Sequence, residues 1–196
     1  MFKRILIANR GEIACRVIKT ARRMGIETVA VYSEADAASL HLQQADEAHS
    51  LGEGPATQTY LDVEKILRIA RETGAKAIHP GYGFLSENAA FAEACEAAGI
   101  AFVGPTPEQL RVFGLKHTAR ALAKQRGVPM LEGTELLDSL ADALGAAEQV
   151  GYPVMLKSTD GGGGIGMRVC RSAAELTDAF DAVKRLGQNN FSDSGV

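Results

Sequence analysis

Lys157-Ser158-Thr159-Asp160-Gly161-Gly162-Gly163-Gly164-Ile165-Gly166-Met167 combines a cation with a loop that has almost no side chains. It follows an apolar run, Tyr152-Pro153-Val154-Met155-Leu156, that reads as a buried strand. Glycine lacks a Cβ, so successive backbone N–H groups can wrap an anion closely. A lysine at the strand end adds a point charge suited to phosphate. The expected chemistry is a flap over the phosphates of a nucleotide. A second reactive-looking stretch is His79-Pro80-Gly81-Tyr82-Gly83-Phe84-Leu85-Ser86-Glu87-Asn88. It follows a short strand, Lys76-Ala77-Ile78-His79, and strand C-terminal ends are where open α/β sheets place ligands.

Order within the first stretch separates two nucleotide chemistries. A P-loop places its lysine after the glycines and runs into a helix. Here the lysine precedes them, and Met167-Arg168-Val169-Cys170 reads as a returning strand. The expected element is therefore a hairpin, able to close over a ligand and exclude water. The alternative, a bare surface hairpin, would order four consecutive glycines with no ligand to offset the entropy.

The elements that must position these stretches alternate strand and helix. Residues 4–8 form a first strand, Ile13–Met24 a helix stopped by Gly25, and Ile26–Tyr32 a second strand. This β-α-β unit calls for a parallel sheet. Between them, Asn9-Arg10-Gly11-Glu12 has one glycine and only loosely resembles a dinucleotide-binding turn. Asp36 lies where such a turn would want a ribose-binding acid, yet the favoured reading is a Rossmann-like sheet without that cofactor. Residues 34–59 look irregular apart from a strand at Glu47–Leu51; His41 and His49 have no metal partners at ligand spacing and read as surface or interface residues. Helices are expected at Tyr60–Ala70 and Glu87–Ala98, the latter capped by Ser86, with a fifth strand at Ile100–Val103. A junction near residue 112 then separates two helical segments (Pro107–Phe113 and Lys116–Arg126), a short strand at Val128–Leu131, a helix at Ser139–Val150 and the hairpin. A last helix, Ala173–Leu186, should open on a capping box made by Ser172 and Glu175.

Composition excludes several classes. Hydrophobic residues make up 46% and charged residues 23% of 196, ordinary for a globular chain, and a net charge of −3 gives no case for nucleic acid or an anionic membrane. No apolar run approaches the ~18 residues a membrane span needs, and the N-terminus is too short for a signal peptide. Cys15, Cys95 and Cys170 form neither a metal pattern nor a disulfide framework, so a reducing cytoplasm is the expected setting. The polar stretch Gln188–Val196 reads as a chain cut between elements.

Ile7-Ala8-Asn9-Arg10-Gly11-Glu12-Ile13-Ala14-Cys15-Arg16, His79–Asn88 and Gly161–Met167, in that order, resemble the biotin carboxylase component of biotin-dependent carboxylases over essentially the whole chain. The resemblance implies an α/β protein: a Rossmann-like N-terminal domain at 1–112, then the first part of an ATP-grasp domain at 113–196. It implies ATP- and bicarbonate-dependent carboxylation of biotin on a carrier domain. Lys116, Lys157, Gly161, Gly162, Gly163, Gly164, Gly166 and Met167 would bind ATP, with Tyr82 and Gly83 on the biotin side and Arg16 at a dimer contact. Mg2+ ligands and the complete catalytic set would lie beyond residue 196, and partners would be biotin carboxyl carrier and carboxyltransferase domains.

Two departures from the family pattern point to a branch. Ile165 stands where the flap commonly has arginine, and the chain reads Gly114-Leu115-Lys116-His117-Thr118-Ala119-Arg120 where the family commonly has Gly-Asp-Lys before the second domain's first helix. Both resemble the urea carboxylase (urea amidolyase) branch, an appearance shared by guanidine carboxylases; acyl-CoA and pyruvate carboxylases are the alternatives. Other ATP-grasp ligases lack the His79–Asn88 motif, and a non-catalytic nucleotide-binding or dimerisation module would have had no need to keep both lysines and the full glycine flap.

Overall fold

The computed structural model describes residues 2–114, 116–158 and 166–191. The chain divides into two compact units, Met1–Arg111 and Val112–Val196.

The N-terminal unit is a five-stranded, all-parallel sheet in the order β3-β2-β1-β4-β5. Its strands are β1 (Arg4–Ile7), β2 (Glu27–Ser33), β3 (Glu47–Gly52), β4 (Ala77–His79) and β5 (Ala101–Phe102). Successive side chains of β1 point to opposite faces, and both faces are covered. Ile5 and Ile7 pack with Ala14, Val17, Ile18 and Ala21 of α1 (Gly11–Arg23). Leu6 joins Val29, Val31 and Ile78 against Ile66, Leu67 and Ile69 of α3 (Val63–Glu72) and Phe91 of α4 (Ala89–Ala97). The chain runs outward from β1 to β3, then returns to the other side of β1 as β4. The topological switch thus falls between β1 and β4, whose register pairs Ile7 with His79. Loops leaving these two strands emerge side by side, and Ala8 N–H extends the ladder by donating to His79 O at 2.9 Å.

Several local expectations change. Asn88, not Ser86, caps α4, its side chain accepting from Phe91 N–H at 2.9 Å. Ser86 N–H bonds Gly83 O and Asn88 N–H bonds Leu85 O, so the chain is still turning through Ser86 and the helix starts after Asn88. Helix α3 begins at Val63 behind an Asp62 cap; Tyr60, expected inside it, is instead buried in the core. A short helix, α2 (Leu40–Gln44), lies within the stretch expected to be irregular. It packs on α1 and β2, which buries His41 completely, so His41 is a core residue rather than a surface one. Its Nε2 faces Val31 O at 3.3 Å.

The division between units falls inside α5 (Pro107–Gly114). The C-terminal unit contains α6 (Lys116–Gln125), α7 (Leu140–Val150), β6 (Val154–Lys157), β7 (Met167–Cys170) and α8 (Ala173–Phe191). Strands β6 and β7 form an antiparallel hairpin. Leu156 and Cys170 pack against Ala143 and Ala147 of α7 and Leu176, Ala179, Phe180 and Val183 of α8. Residues Val128–Leu131 are not a strand. Val128 N–H bonds back to Ala123 O and the Arg120 guanidinium holds Leu131 O, so α6 takes the backbone groups a ladder would need. The capping box expected at Ser172 is half formed: Ser172 Oγ accepts from Glu175 N–H, while the Glu175 carboxylate accepts from Arg171 N–H instead of closing on Ser172. A full box forms at Ser139 and Asp142.

Candidate functional site

At the switch point, Asn9 follows β1 and is only 4% exposed. Its Nδ2 donates to Pro80 O at 2.7 Å and to Tyr82 O at 2.8 Å, and its Oδ1 accepts from Arg10 N–H at 2.9 Å. Every hydrogen-bonding group of the amide head except one lone pair is engaged. Gly81 approaches so closely that a Cβ there would lie 2.7 Å from Asn9 Nδ2, and its φ of +66° is a left-handed conformation natural only to glycine. His79 Nδ1 accepts from Gly81 N–H at 3.0 Å. Burial holds this imidazole below its ordinary value, so the neutral ring with its proton on Nε2 fits the bond.

Tyr82 is 60% exposed, and its phenol donates to Glu12 Oε1 at 2.6 Å from the first turn of α1. That bond raises the Tyr82 pKa. Phe84 has a φ of +42°, an unusual state for a side chain branched at Cγ into a ring. It is fixed by stacking on Tyr60, ring centroids 4.8 Å apart and 6° from parallel. The Arg10 guanidinium lies 5.3 Å from the Tyr60 centroid and 5.6 Å from that of Phe84.

Asp36 closes this cluster. Its Oδ2 accepts from Arg10 Nη1 at 2.9 Å, Ser33 Oγ at 2.9 Å and Tyr60 Oη at 2.7 Å. Burial alone would raise its pKa, but the bonds from Tyr60, Arg10 and Ser33 outweigh it and hold the carboxyl below the usual range. Burial and the Asp36 bond push the Tyr60 phenol up to about 12. Asp36 is thus a structural anchor, engaged by its own unit instead of being held out for a ribose.

In the C-terminal unit, β6 and β7 place Lys157 directly opposite Met167. One residue beyond, Ser158 N–H donates to Gly166 O at 2.9 Å, closing the base of the hairpin. Lys157 is exposed and, with Met155, Leu156, His117, Arg120 and Leu131, lines a cavity of about 980 Å³. Lys116 opens α6. Gly161, Gly162, Gly163, Gly164 and Ile165 lie outside the described residues. Arg16 lies on the exposed side of α1. Among the described residues no group of three or more His, Cys, Asp or Glu side chains could hold a metal ion.

Known proteins match both units. A family model described as "Biotin carboxylase, N-terminal domain" matches residues 1–110. The chain belongs to the biotin carboxylase family. Residues 116–196 match the "Carbamoyl-phosphate synthase L chain, ATP binding domain". The mitochondrial methylcrotonoyl-CoA carboxylase subunit alpha of Rattus norvegicus is 49% identical over 98% of this chain and 27% of its own length. Urea amidolyase of Saccharomyces cerevisiae is 50% identical over 100% of the chain and 11% of its own length. The biotin carboxylase of Halalkalibacterium halodurans is 50% identical over 98% and 43%. The chain therefore spans less than half the length of these relatives. Among solved structures, the biotin carboxylase domain dimer of Hydrogenobacter thermophilus 2-oxoglutarate carboxylase, in complex with MgADP, ADP and bicarbonate, matches with a TM-score of 0.96 at 43% identity, over 100% of this chain and 43% of that one. The expected α/β fold and biotin carboxylase kinship are both met.

The sequence motifs singled out Tyr82, Gly83 and Lys157. They assigned no role to Asn9, Arg10 or Glu12, which shape the Tyr82 turn. The available signal was position: the three follow the strand at which the sheet reverses its order.

Proposed function

We propose that this chain is the N-terminal part of a biotin carboxylase that uses ATP and bicarbonate to carboxylate biotin on a carrier domain. The observation that carries it is the hairpin: a lysine on β6, set opposite Met167, stands over a cavity of about 980 Å³ at the root of a glycine loop. ATP supplies the phosphoryl group that activates bicarbonate. In this reading Lys116 and Lys157 neutralise the phosphates as they bind. Backbone N–H groups of Gly161, Gly162, Gly163, Gly164 and Gly166 wrap them, and Met167 packs beside the adenine. Tyr82 and Gly83 line the biotin side. Residues 1–112 are the Rossmann-like domain and 113–196 the first part of an ATP-grasp domain. Mg2+ is held by residues beyond 196, and the 196-residue chain alone does not turn over.

The carboxyl group passes, we infer, to urea through a carboxyltransferase domain. Ile165 and the Leu115–Arg120 sequence support that branch, and urea amidolyase stands among relatives of equal identity that act on acyl-CoA. Arg16 on α1 fits a homodimer contact. The free cysteines Cys15, Cys95 and Cys170 suit a reducing cytoplasm; among the described residues no helix is long and apolar enough to cross a membrane.

The test is ADP formation by the full-length enzyme with MgATP, bicarbonate and biotin, followed by addition of urea, guanidine, acyl-CoA or pyruvate. ADP release that needs bicarbonate, rises with biotin and is accelerated by urea is expected. No dependence on bicarbonate and biotin would remove the carboxylase reading; acceleration by another acceptor would remove the urea branch alone.

A further inference from the structure

The turn carrying Tyr82 and Gly83 has two glycines that leave its backbone free to take several conformations. Gly81, Gly83 and Phe84 have φ values of +66°, +65° and +42°, three left-handed residues in four. Core packing orders Phe84 through Tyr60, but Tyr82 is exposed and Gly83 has nothing within 4 Å of where its Cβ would stand. The exposed half of the turn therefore depends on polar contacts from outside it.

Asn9 supplies those to the backbone. Its amide donates to the carbonyls on both sides of Gly81, those of Pro80 and Tyr82, and so fixes the two peptide units that set where Tyr82 and Gly83 point. The side chain is not spent on capping α1, whose start has no side-chain cap. Glu12 then holds the Tyr82 phenol at 2.6 Å. Asn9 lies in the β1–α1 connection and Glu12 in the first turn of α1, which together border the switch-point crevice where open α/β sheets bind ligands.

We propose that Asn9 is a positioning residue for biotin: its side-chain amide sets the Tyr82–Gly83 turn in the conformation that receives the carrier-bound ring. This role rests on the carboxylase reading above. The decisive variant is Asn9→Asp in the full-length enzyme, which keeps size and removes both donors. A carboxylate then faces two carbonyl oxygens. The KM for free biotin should rise about tenfold, the loss expected for a buried bidentate contact. The KM for ATP and the bicarbonate-dependent ADP formation without biotin should stay within about twofold, because those steps do not use the turn. Asn9→Ser, neutral and smaller, carries the same test should Asn9→Asp not fold, with Tm read for both. An unchanged biotin KM, or an equal fall of the biotin-dependent and biotin-independent rates, overturns the role of Asn9. Absence of biotin-dependent ADP formation in the unsubstituted enzyme overturns the carboxylase reading and this role with it.

Discussion

At the switch point of the N-terminal unit, a single carboxylate oxygen of Asp36 accepts from three side chains, and Asn9 bonds three backbone groups while almost wholly buried. At the hairpin of the C-terminal unit, Met155, Lys157, Met167 and Val169 reach solvent, and Leu131, on the cavity wall, is 88% exposed. The first region is shaped before any ligand arrives: its polar groups have spent their hydrogen bonds on one another. The second offers charge and apolar surface whose partners the ligand itself would supply. Preorganised geometry suits orienting a reacting ring, the role proposed for the turn, whereas the lid role proposed for the hairpin would need it to open and close. Substitutions should therefore act differently in the two places, on the ligand step alone at the hairpin and on stability as well at the switch point.

The largest effect is expected at the hairpin. Lys157→Ala in the full-length enzyme would remove the proposed charge-assisted phosphate contact, worth roughly 1.5–3 kcal/mol, and should lower kcat/KM for ATP by about one to two orders of magnitude. Tm should hardly move, because the side chain is exposed. Steady-state kinetics and a melting curve on one preparation check both halves. Unchanged kinetics would remove the phosphate role, and a large fall in Tm would break the contrast between the regions.

Next come the two glycines flanking Tyr82. Gly81→Ala combines a left-handed φ with a Cβ driven into Asn9 Nδ2, so it should cost about 2 kcal/mol or more. Gly83→Ala has the same φ but open space around it, and should cost about 1 kcal/mol. Denaturant midpoints of the two variants give the comparison. Equal losses would mean that close approach of the Gly81 backbone to Asn9 contributes nothing.

How far these features could be read from the sequence depends on the range of their causes. The strand runs Ile5–Ala8 and Val29–Val31 are apolar because a parallel sheet buries both faces, and that shows locally. Lysine before the glycines likewise told a hairpin from a P-loop, a distinction the antiparallel β6–β7 pairing bears out. Asn9 was opaque because its partners lie 71 and 73 residues away. The same holds for Asp36, which sequence position alone left open to a ribose role. His41 looked exposed because a five-residue helix gives too short a pattern to reveal its buried side. Ser86 and Asn88 are both good capping types, and only the turn between them decides which faces the helix. At Val128–Leu131 the residue types suited a strand, but a strand needs a neighbour, and α6 holds that backbone instead.

Asp36→Asn tests the anchor of the switch point. The carboxyl has a depressed folded value, so its contribution is present above the unfolded carboxylate value of about 4 and is lost as pH falls through the folded value. The variant should be less stable by about 1.5 kcal/mol at neutral pH, since Arg10, Ser33 and Tyr60 then face a neutral amide instead of a carboxylate; solvent at the partly exposed Arg10 end moderates the loss. As pH falls below about 4 the gap should begin to shrink, and it should close only below the depressed folded value. Denaturant titrations at pH 7 and in acid read both. A gap that persists unchanged in acid would assign the effect to packing of the carbamoyl group instead of charge.

The smallest effect compares one capping chemistry in the two regions. Asn88 caps α4 at the end of the Tyr82 turn, and Ser139 caps α7 with a reciprocal Asp142 contact. Replacing either by Ala should cost about 1 kcal/mol. Helix α4 carries the fully buried Phe91 into the main core, so fraying there must disturb the turn that Asn88 ends. Helix α7 packs the buried Ala143 and Ala147 and the partly buried Leu140 and Leu144 into the core of the C-terminal unit, which does not hold the Tyr82 turn. Equal stability losses should therefore accompany unequal functional ones: Asn88→Ala should raise the biotin KM measurably, and Ser139→Ala should leave it alone. If Ser139→Ala changed biotin use as much as Asn88→Ala does, the switch point would not be the place where the ring is oriented.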